Sequence, residues 1–206
     1  MIEISNEQTY GWEETIRGMR NPMTSWNKID SKWDGFGEAH GYSLGANDLS
    51  LMKKLAHAGA DHGKFLRMIN VTMDITAPLY WWKEFDTYKV GTVANSCSTM
   101  HKIHAKEFVL DDFSHEELGG RELDLLAQII EALNANRENY NVLQNKFFWH
   151  QMIQLLPSSY NQKRTVQLNY QVLKHIYPSR KNHKLDEWRT LCGIIENLPY
   201  AEELIC

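Results

Sequence analysis

The chain has 206 residues, 43% of them hydrophobic and 11% aromatic, with a formal net charge of −4. This length suits one domain over residues 1–206 with one sizeable core. The negative charge argues against nonspecific nucleic-acid binding, which depends on basic patches. No run reaches about 18 apolar residues, so we expect no transmembrane helix and no membrane partner.

Two features of the sequence predict a cytoplasmic location. The N-terminus lacks the basic start and apolar core of a secretion signal. Cys97, Cys192 and Cys206 are an odd number of cysteines without a C-x-x-C pair. That usage suits a reducing compartment better than a disulfide framework.

The N-terminal part is predicted to contain a short strand, two helices and a long loop. Residues 2–4 indicate the strand, and a helix is expected from about Glu7 to Met19. Residues 21–47 combine glycines with aromatic residues, which predicts a loop that is either functional or pinned to the surface by its aromatics. The second helix is expected between a cap near Asp48 and a terminator at Gly59.

The centre of the chain carries the clearest pattern. Residues 69–76 alternate apolar and polar side chains, which predicts a strand with one buried face, in a small sheet built on residues 65–77. Pro78 ends this strand because it lacks an N–H and fits the first turn of a helix. A helix over Leu79–Tyr88 and a polar loop over Val90–Ser98 are expected next, and such a loop on a rigid base commonly holds a ligand.

The second half of the chain is predicted to be mainly helical. Ser114 and Glu117 form a candidate capping box for an amphipathic helix that ends near Asn136. Further helices are expected over about Tyr140–Leu155 and over Thr165–Tyr177.

The cations Arg180, Lys181 and Arg189 form the clearest candidate anion site. Arginine offers a planar fork of donors that matches a phosphate or a pyrimidine carbonyl edge. Pro178 is expected to separate Arg180 from the preceding helix, so that Arg180 lies at a helix exit. The alternative is a solvated helix end, where cations complement the helix dipole.

Two other groups of residues give weaker evidence for a functional site. Cys97, His101 and His104 would share one helical face and are residue types that zinc prefers, but nothing specifies a fourth ligand, so we predict no metal. Ser96 and Ser98 have no G-x-S-x-G elbow around them, so we predict no nucleophilic serine.

These motifs, in their order, resemble the flavin-dependent thymidylate synthases. In that family a strand ends in Ala-Pro-aromatic, and a helix leads to an Arg-His-Arg triplet, a Ser and an Asn-Glu-x-Ser-x-Arg-Tyr segment. Here Ala77-Pro78-Leu79-Tyr80 matches the first motif, and Thr87-Tyr88-Lys89 stands at the triplet. Asn95 and Ser98 match the later Asn and Ser if one residue is inserted in the loop, and Met100-His101 replaces Arg-Tyr.

Further matches extend the resemblance over roughly residues 15 to 200. His62 and Phe65 fit the family's His-x-Ser-Pro-Phe-Glu-His run, with Arg67 at the position of its second His. Leu156-Pro157, Asn169 and Arg180 follow the family's order in the C-terminal part. The run from His183 to Arg189 resembles its His-Ala-Gln-x-Glu-Ile-Arg motif.

The resemblance implies an α+β fold with a small central, mostly antiparallel sheet wrapped by helices, assembled as a homotetramer. It implies reductive methylation of dUMP to dTMP with methylenetetrahydrofolate and NADPH, and FAD as the cofactor that performs the redox step. Arg180 would be the catalytic residue, which anchors or polarises the pyrimidine. The implied FAD-binding residues are His62, Lys89, Asn95, Ser98 and Asn169. The implied substrate-binding residues are Thr92, Lys102, Arg180 and Arg189, with Arg17, Arg20 and Ser25 as candidates near the nucleotide.

The departures from the family pattern leave alternatives open. Thr87 and Tyr88 do not supply the two charges that they replace, and Met100 does not hold a phosphate. One alternative is a relative that acts on another pyrimidine nucleotide or in another one-carbon transfer. The other is a non-catalytic member that keeps the fold as a nucleotide-binding or assembly module.

Overall fold

The computed structural model describes residues 2–206 and contains both helices and strands. These residues form six strands: β1 (Glu3–Tyr10), β2 (Lys32–Trp33), β3 (Tyr42–Ser43), β4 (Asn70–Pro78), β5 (Val93–Ser96) and β6 (Asn161–Asn169). They also form eight α-helices: α1 (Trp12–Arg20), α2 (Ala46–His57), α3 (Leu79–Phe85), α4 (Gly120–Leu143), α5 (Lys146–Leu155), α6 (Tyr170–Arg180), α7 (Asp186–Glu196) and α8 (Ala201–Leu204).

The main sheet has the strand order β1-β4-β6-β5, and β2 and β3 form a separate antiparallel pair with Lys32 opposite Ser43. The predicted α+β class with a small antiparallel sheet is confirmed. Across residues 2–206, no helix combines the length and the apolar character needed to cross a membrane.

Two compact units divide the described chain. Unit 1 contains residues 2–3, 75–87 and 95–164, and unit 2 contains residues 4–74, 88–94 and 165–206. In unit 1 a buried cluster includes Phe108, Phe113, Leu133 and Met152. In unit 2 the Trp12 ring packs edge-on against Tyr170 at 5.4 Å. The interpretation of the whole chain as one domain stays a prediction.

The predicted central strand is confirmed, but it begins later than expected. Strand β4 buries alternate side chains, including Val71, Met73 and Ile75. Residues 63–68 form a 3-10 helix instead of sheet. Within this 3-10 helix the consecutive residues Phe65 and Leu66 are both buried, so the alternation of the strand begins only at Ile69.

The predicted helix from Glu7 to Met19 is wrong at its start. Residues through Tyr10 belong to β1, and α1 begins only at Trp12. Gly11 separates the two elements because it adopts a φ of +86°, and a Cβ there would lie 2.3 Å from the carbonyl oxygen of Met68. Only glycine tolerates this combination, so the chain turns here.

The helices of unit 1 also differ from the predicted boundaries. Helix α3 ends at Phe85 rather than Tyr88. The Ser114–Glu117 capping box is wrong, because Ser114 hydrogen-bonds Asn161 at 2.9 Å and α4 starts after Gly119. The single helix predicted over residues 140–155 is interrupted, since Gln144 adopts a φ of 51° and Asn145 caps a new helix.

The helix predicted over Thr165–Tyr177 is wrong in its first part. Residues 161–169 form β6, in which Val166 and Leu168 are buried while their neighbours Thr165 and Gln167 are exposed. Helix α6 starts at Tyr170 and contains Pro178. Arg180 is therefore the last residue of α6, not a residue separated from the helix by the proline.

The polar loop predicted over Val90–Ser98 contains a strand, β5, whose following residue Cys97 donates its N–H to the Lys163 carbonyl at 2.9 Å. The single helical face predicted for Cys97, His101 and His104 is wrong, because this segment forms turns. Among residues 2–206, no three His, Cys, Asp or Glu side chains are grouped to hold a metal ion.

Candidate functional site

Residues 88–92 of unit 2 lie along helix α6 and start the candidate site. The Tyr88 ring contacts the His175 ring edge-on at 6.0 Å. Gly91 lies against the start of the same helix, where an added Cβ would be 2.9 Å from Asn169 Nδ2 and 3.3 Å from Val172 Cγ2. Its φ of +81° favours glycine, and the close approach leaves little room for a Cβ. Gly91 therefore allows this segment to pass close to the start of α6.

Arg180 is held between two aromatic side chains at the end of α6. Its Nε donates to Tyr88 Oη at 2.9 Å. Its Cζ lies 4.4 Å from the centre of the Trp188 ring and 5.7 Å from the centre of the Tyr88 ring. Trp188 is fully buried in α7, so it forms a rigid base. A guanidinium on an aromatic face is attracted by the ring quadrupole, and these contacts fix its plane.

Asn169 lies at the other end of α6. It is 8% exposed, and its Oδ1 accepts the Val172 N–H at 3.1 Å, which caps the helix. An eleven-residue helix with a rise of about 1.5 Å per residue separates Asn169 from Arg180 by about 15 Å. The two residues therefore lie about three helical turns apart.

Thr92 carries a buried polar atom that the fold leaves unsatisfied. Its backbone N–H donates to the Lys89 carbonyl at 3.4 Å. Its Oγ1 is buried and has no hydrogen-bond partner within residues 2–206. Buried hydroxyl groups are normally hydrogen-bonded, so this atom is an exception in the segment and makes Thr92 a candidate ligand contact.

Lys89 and His62, the other unit 2 residues predicted to bind the cofactor, are exposed. Lys89 follows Tyr88 directly and adds a positive charge to the segment. His62 precedes the 3-10 helix over residues 63–68, and its side chain does not cap that helix.

Two arginines named from the sequence have structural contacts. The guanidinium of Arg189 donates to the carbonyls of His183 and Lys184, at 2.7 and 3.3 Å, and pairs with Asp186. It holds the turn that precedes α7, and substrate binding by Arg189 stays a prediction. Arg20 donates to the buried Asp48 through Nε and Nη2, at 3.0 and 2.6 Å.

The remaining predicted residues belong to unit 1. Asn95 lies on β5 and Lys102 in the following turns, and both are exposed. Ser98 Oγ accepts the N–H groups of Met100 and His101 at 3.2 and 2.8 Å. These bonds occupy the acceptor capacity of the hydroxyl, so its own proton is the group left to donate to a ligand.

Unit 1 also contains a cavity of about 440 Å³ that the sequence did not indicate. Its lining includes Cys97, Lys106, Asp112, Tyr160 and Lys163. Lys106 pairs with Asp112, and that hydrogen bond raises the pKa of Lys106. Burial raises the pKa of Tyr160. The residues predicted for FAD and substrate do not line this cavity.

Sequence reasoning missed three residues around Arg180 and Asn169, namely Tyr88, Gly91 and Trp188. The comparison with the Arg-His-Arg triplet marks Tyr88 only as the loss of a charged residue. Trp188 stands beside Arg189 in the C-terminal motif, and an aromatic residue near a cluster of cations is a signal for a cation–π contact. The sequence does not tell which arginine the ring would contact.

Comparison with known proteins identifies the fold. No protein-family model matches the sequence, and no curated protein matches it. Among solved structures, the flavin-dependent thymidylate synthase of Helicobacter pylori complexed with FAD and dUMP matches with a TM-score of 0.70 and 16% identity, over 98% of this chain and 97% of that chain. A second structure of that enzyme with FAD and dUMP matches with a TM-score of 0.70 and 16% identity, over 100% of this chain and 97% of that chain.

A third structure is a UMP/dUMP methylase from Streptomyces cacaoi bound with 5-Br dUMP. It matches with a TM-score of 0.61 and 13% identity, over 99% of this chain and 93% of that chain. The chain thus has the fold of the flavin-dependent thymidylate synthases, which confirms the fold implied by its sequence motifs.

Proposed function

We propose that this protein binds FAD and a pyrimidine nucleotide and catalyses the reductive methylation of dUMP to dTMP, with methylenetetrahydrofolate and NADPH as the other substrates. The observation that carries the proposal is Arg180. Its place in the C-terminal sequence motif resembles that of the family's nucleotide-contacting arginine, and its guanidinium contacts Tyr88 and Trp188. A fixed planar fork of donors suits the carbonyl edge of a pyrimidine or a phosphate.

The residues of unit 2 fit an anionic flavin nucleotide. The unsatisfied hydroxyl of Thr92 lies in the same segment as the cation Lys89, so a hydrogen-bond donor or acceptor and a positive charge come together. FAD, when bound, supplies the two-electron redox chemistry that amino-acid side chains do not perform. Lys89, Asn169 and His62 of unit 2 would hold it, and Thr92 would contact the nucleotide substrate.

For unit 1 the proposal rests on the family resemblance alone, which gives Asn95 and Ser98 as FAD ligands and Lys102 as a nucleotide ligand. The hydroxyl of Ser98 accepts two backbone N–H groups, so it would act toward a ligand as a donor. Arg180 in unit 2 binds the pyrimidine and stabilises negative charge on its carbonyl oxygen.

The decisive experiment is FAD binding by the purified protein, followed by a single-turnover assay for dTMP. We expect a yellow protein that releases FAD on denaturation. The affinity should be weaker than is usual in the family, because Thr87 and Tyr88 replace two charged residues of the triplet. A colourless protein that does not bind FAD at high micromolar concentration would favour the non-catalytic nucleotide-binding module.

A second candidate function is methylation of UMP. The match to the Streptomyces cacaoi UMP/dUMP methylase, and the replacement of the triplet by Thr87-Tyr88-Lys89, favour it. Competition between dUMP and UMP in the same assay separates the two substrates. A lower Kd for UMP would assign the protein to ribonucleotide chemistry.

We also propose that the protein forms a homotetramer, as the family resemblance implies. Several large apolar side chains on and beside α4 and α5 are exposed, including Leu125, Val142, Leu143 and Phe147. Such residues are typical of surfaces that a partner covers. Light scattering at micromolar concentration tests this, and a mass near 24 kDa, that of one chain, would contradict it.

A further inference from the structure

Three side chains that are distant in the sequence meet at the end of α6. Tyr88 Oη accepts the Nε–H of Arg180 at 2.9 Å across 92 residues. Trp188 lies under the guanidinium at 4.4 Å, and the Tyr88 and Trp188 rings are 6.0 Å apart with an angle of 71° between their planes. We call Tyr88 and Trp188 the Arg180 clamp.

Both residues of the Arg180 clamp stand where this chain departs from the motifs that it otherwise resembles. Tyr88 occupies the His position of the Arg-His-Arg triplet, and Trp188 the Ile position of the His-Ala-Gln-x-Glu-Ile-Arg run. A tyrosine adds a hydroxyl that accepts the Nε–H, and a tryptophan adds the strongest cation–π surface among side chains. Two separate departures thus act on the same arginine.

We propose that Tyr88 is a positioning residue, which together with Trp188 holds the Arg180 guanidinium in one orientation for a pyrimidine nucleotide. The inference rests on the proposed function. A mobile arginine loses its rotamer freedom when a ligand binds, whereas a clamped arginine has lost it already on folding. The clamp thus favours nucleotide binding without an added charge.

The test is Tyr88→Phe, which removes the hydroxyl and keeps the ring. Calorimetry with dUMP should show an affinity about five- to tenfold weaker than that of the unmodified protein, the cost of ordering one long side chain when the ligand binds. In an Arg180→Ala background the same substitution should cause no further loss, because Tyr88 acts only through Arg180. An unchanged Kd, or an equal loss in both backgrounds, overturns the proposal.

Tyr177→Phe is the matched control on the same helix. Tyr177 donates its hydroxyl to Glu196 Oε1 at 2.7 Å, so this variant also loses one tyrosine hydrogen bond. It should lower the melting temperature about as much as Tyr88→Phe does and leave the Kd for dUMP unchanged. A loss of affinity equal to that of Tyr88→Phe would show a general effect of stability and overturn the proposal.

A second readout needs no ligand and separates this inference from the proposed function. In ¹⁵N-arginine NMR, the Nε–H of Arg180 should be ordered in the unmodified protein and measurably more mobile in Tyr88→Phe. If the unmodified protein binds no dUMP, the proposed function fails, and the NMR result alone then decides the clamp. An averaged Nε–H in the unmodified protein overturns the clamp, whereas binding of dUMP with an unchanged Kd in Tyr88→Phe overturns only this inference.

Discussion

Arg20 and Arg180 are each the last residue of a helix in unit 2, yet their surroundings differ. The Arg20 side chain is 7% exposed and pairs at 2.6 Å with Asp48, whose side chain is fully buried. Arg180 is half-buried and is held by a tyrosine hydroxyl and two aromatic rings. The two arginines are thus anchored by different chemistry, Arg20 by a buried carboxylate and Arg180 by a hydroxyl acceptor and aromatic faces that fix the plane of its guanidinium.

The different neighbours of the two arginines indicate different roles. Arg20 and Asp48 hold the long segment over residues 21–47, because Asp48 also accepts the backbone N–H groups of Asp30 and Ser31 at 3.0 Å. The guanidinium of Arg180 has a fixed orientation at the end of α6. The N-cap of the same helix, Asn169, is a second predicted site residue. A terminal arginine in a sequence is compatible with either role, and only its neighbours decide between them.

The largest expected effect comes from breaking the Arg20 pair. Asp48→Ala leaves a buried cation without its carboxylate, so we expect a loss of about 3–5 kcal/mol in the free energy of unfolding. Urea denaturation measures it. Glu14→Ala is the control, because Glu14 pairs with Arg17 at 3.5 Å on the exposed face of α1 and should contribute only about 0.3 kcal/mol. Equal losses in the two variants would contradict the structural role of Arg20 and Asp48.

Arg180→Ala should act on binding rather than on folding. We expect the affinity for dUMP to fall ten- to hundredfold, which corresponds to about 1.5–3 kcal/mol for a charge-assisted hydrogen bond. The stability should fall by about 1 kcal/mol, the value of a cation–π contact. Calorimetry and thermal denaturation measure the two changes.

Lys181→Ala is the matched control for Arg180, since Lys181 is the next residue and lies 5.4 Å from the Tyr177 ring. Although Lys181 belongs to the cation group predicted from the sequence, its ammonium lies over the Tyr177 ring, so the variant should weaken dUMP binding much less than Arg180→Ala does. If Arg180→Ala leaves the affinity unchanged and lowers the melting temperature strongly, Arg180 is structural, as Arg20 is.

The pH dependence of stability sharpens the comparison further. Burial acts to raise the pKa of Asp48, but hydrogen bonds from Ser31, Arg20 and two backbone N–H groups outweigh it and lower the pKa below its usual value. The stabilisation from Asp48 is therefore present above about pH 4, the pKa of an unfolded aspartate, and is lost as the pH falls through the lower folded value.

Ser31→Ala tests this pH window. It removes the hydroxyl that donates to Asp48 Oδ2 at 2.7 Å, so it should raise the folded pKa of Asp48 and lower stability at pH 7 by about 1.5 kcal/mol. Denaturation curves between pH 3 and pH 7 should show a smaller dependence on pH for the variant. Parallel pH profiles for the variant and the unmodified protein would contradict the lowered pKa.

The sequence predicted the parts of the fold that have a strong local period. The alternation over residues 69–76 predicted β4, because a half-buried strand imposes that period directly. It did not predict β6, where only Val166 and Leu168 mark the buried face of a strand that ends at a helix cap, Asn169. Local propensity does not separate such a strand from the start of the next helix.

The candidate site was predictable only in part for a similar reason. Arg180 follows from its place in a motif, but its contact with Tyr88 joins residues 92 positions apart, and no local pattern contains that distance. The left-handed Gly91 and the unsatisfied hydroxyl of Thr92 depend on how residues 88–92 pack on α6. Packing of this kind is a property of the fold and not of the segment.

The smallest expected effects are at Thr92, where one substitution should raise the stability of the ligand-free protein and lower its affinity for a ligand. Thr92→Val keeps the β-branched shape and removes a hydroxyl that has no partner in the described chain, so the ligand-free protein should gain about 1 kcal/mol in stability. If a ligand group forms a hydrogen bond with this hydroxyl, the same variant should bind FAD or dUMP about fivefold more weakly.

Thr87→Val is the control, because Thr87 Oγ1 donates to the Glu84 carbonyl at 2.7 Å and its loss should lower stability. A Thr92→Val protein that is less stable than the unmodified protein, with unchanged affinity for both ligands, would remove Thr92 from the site.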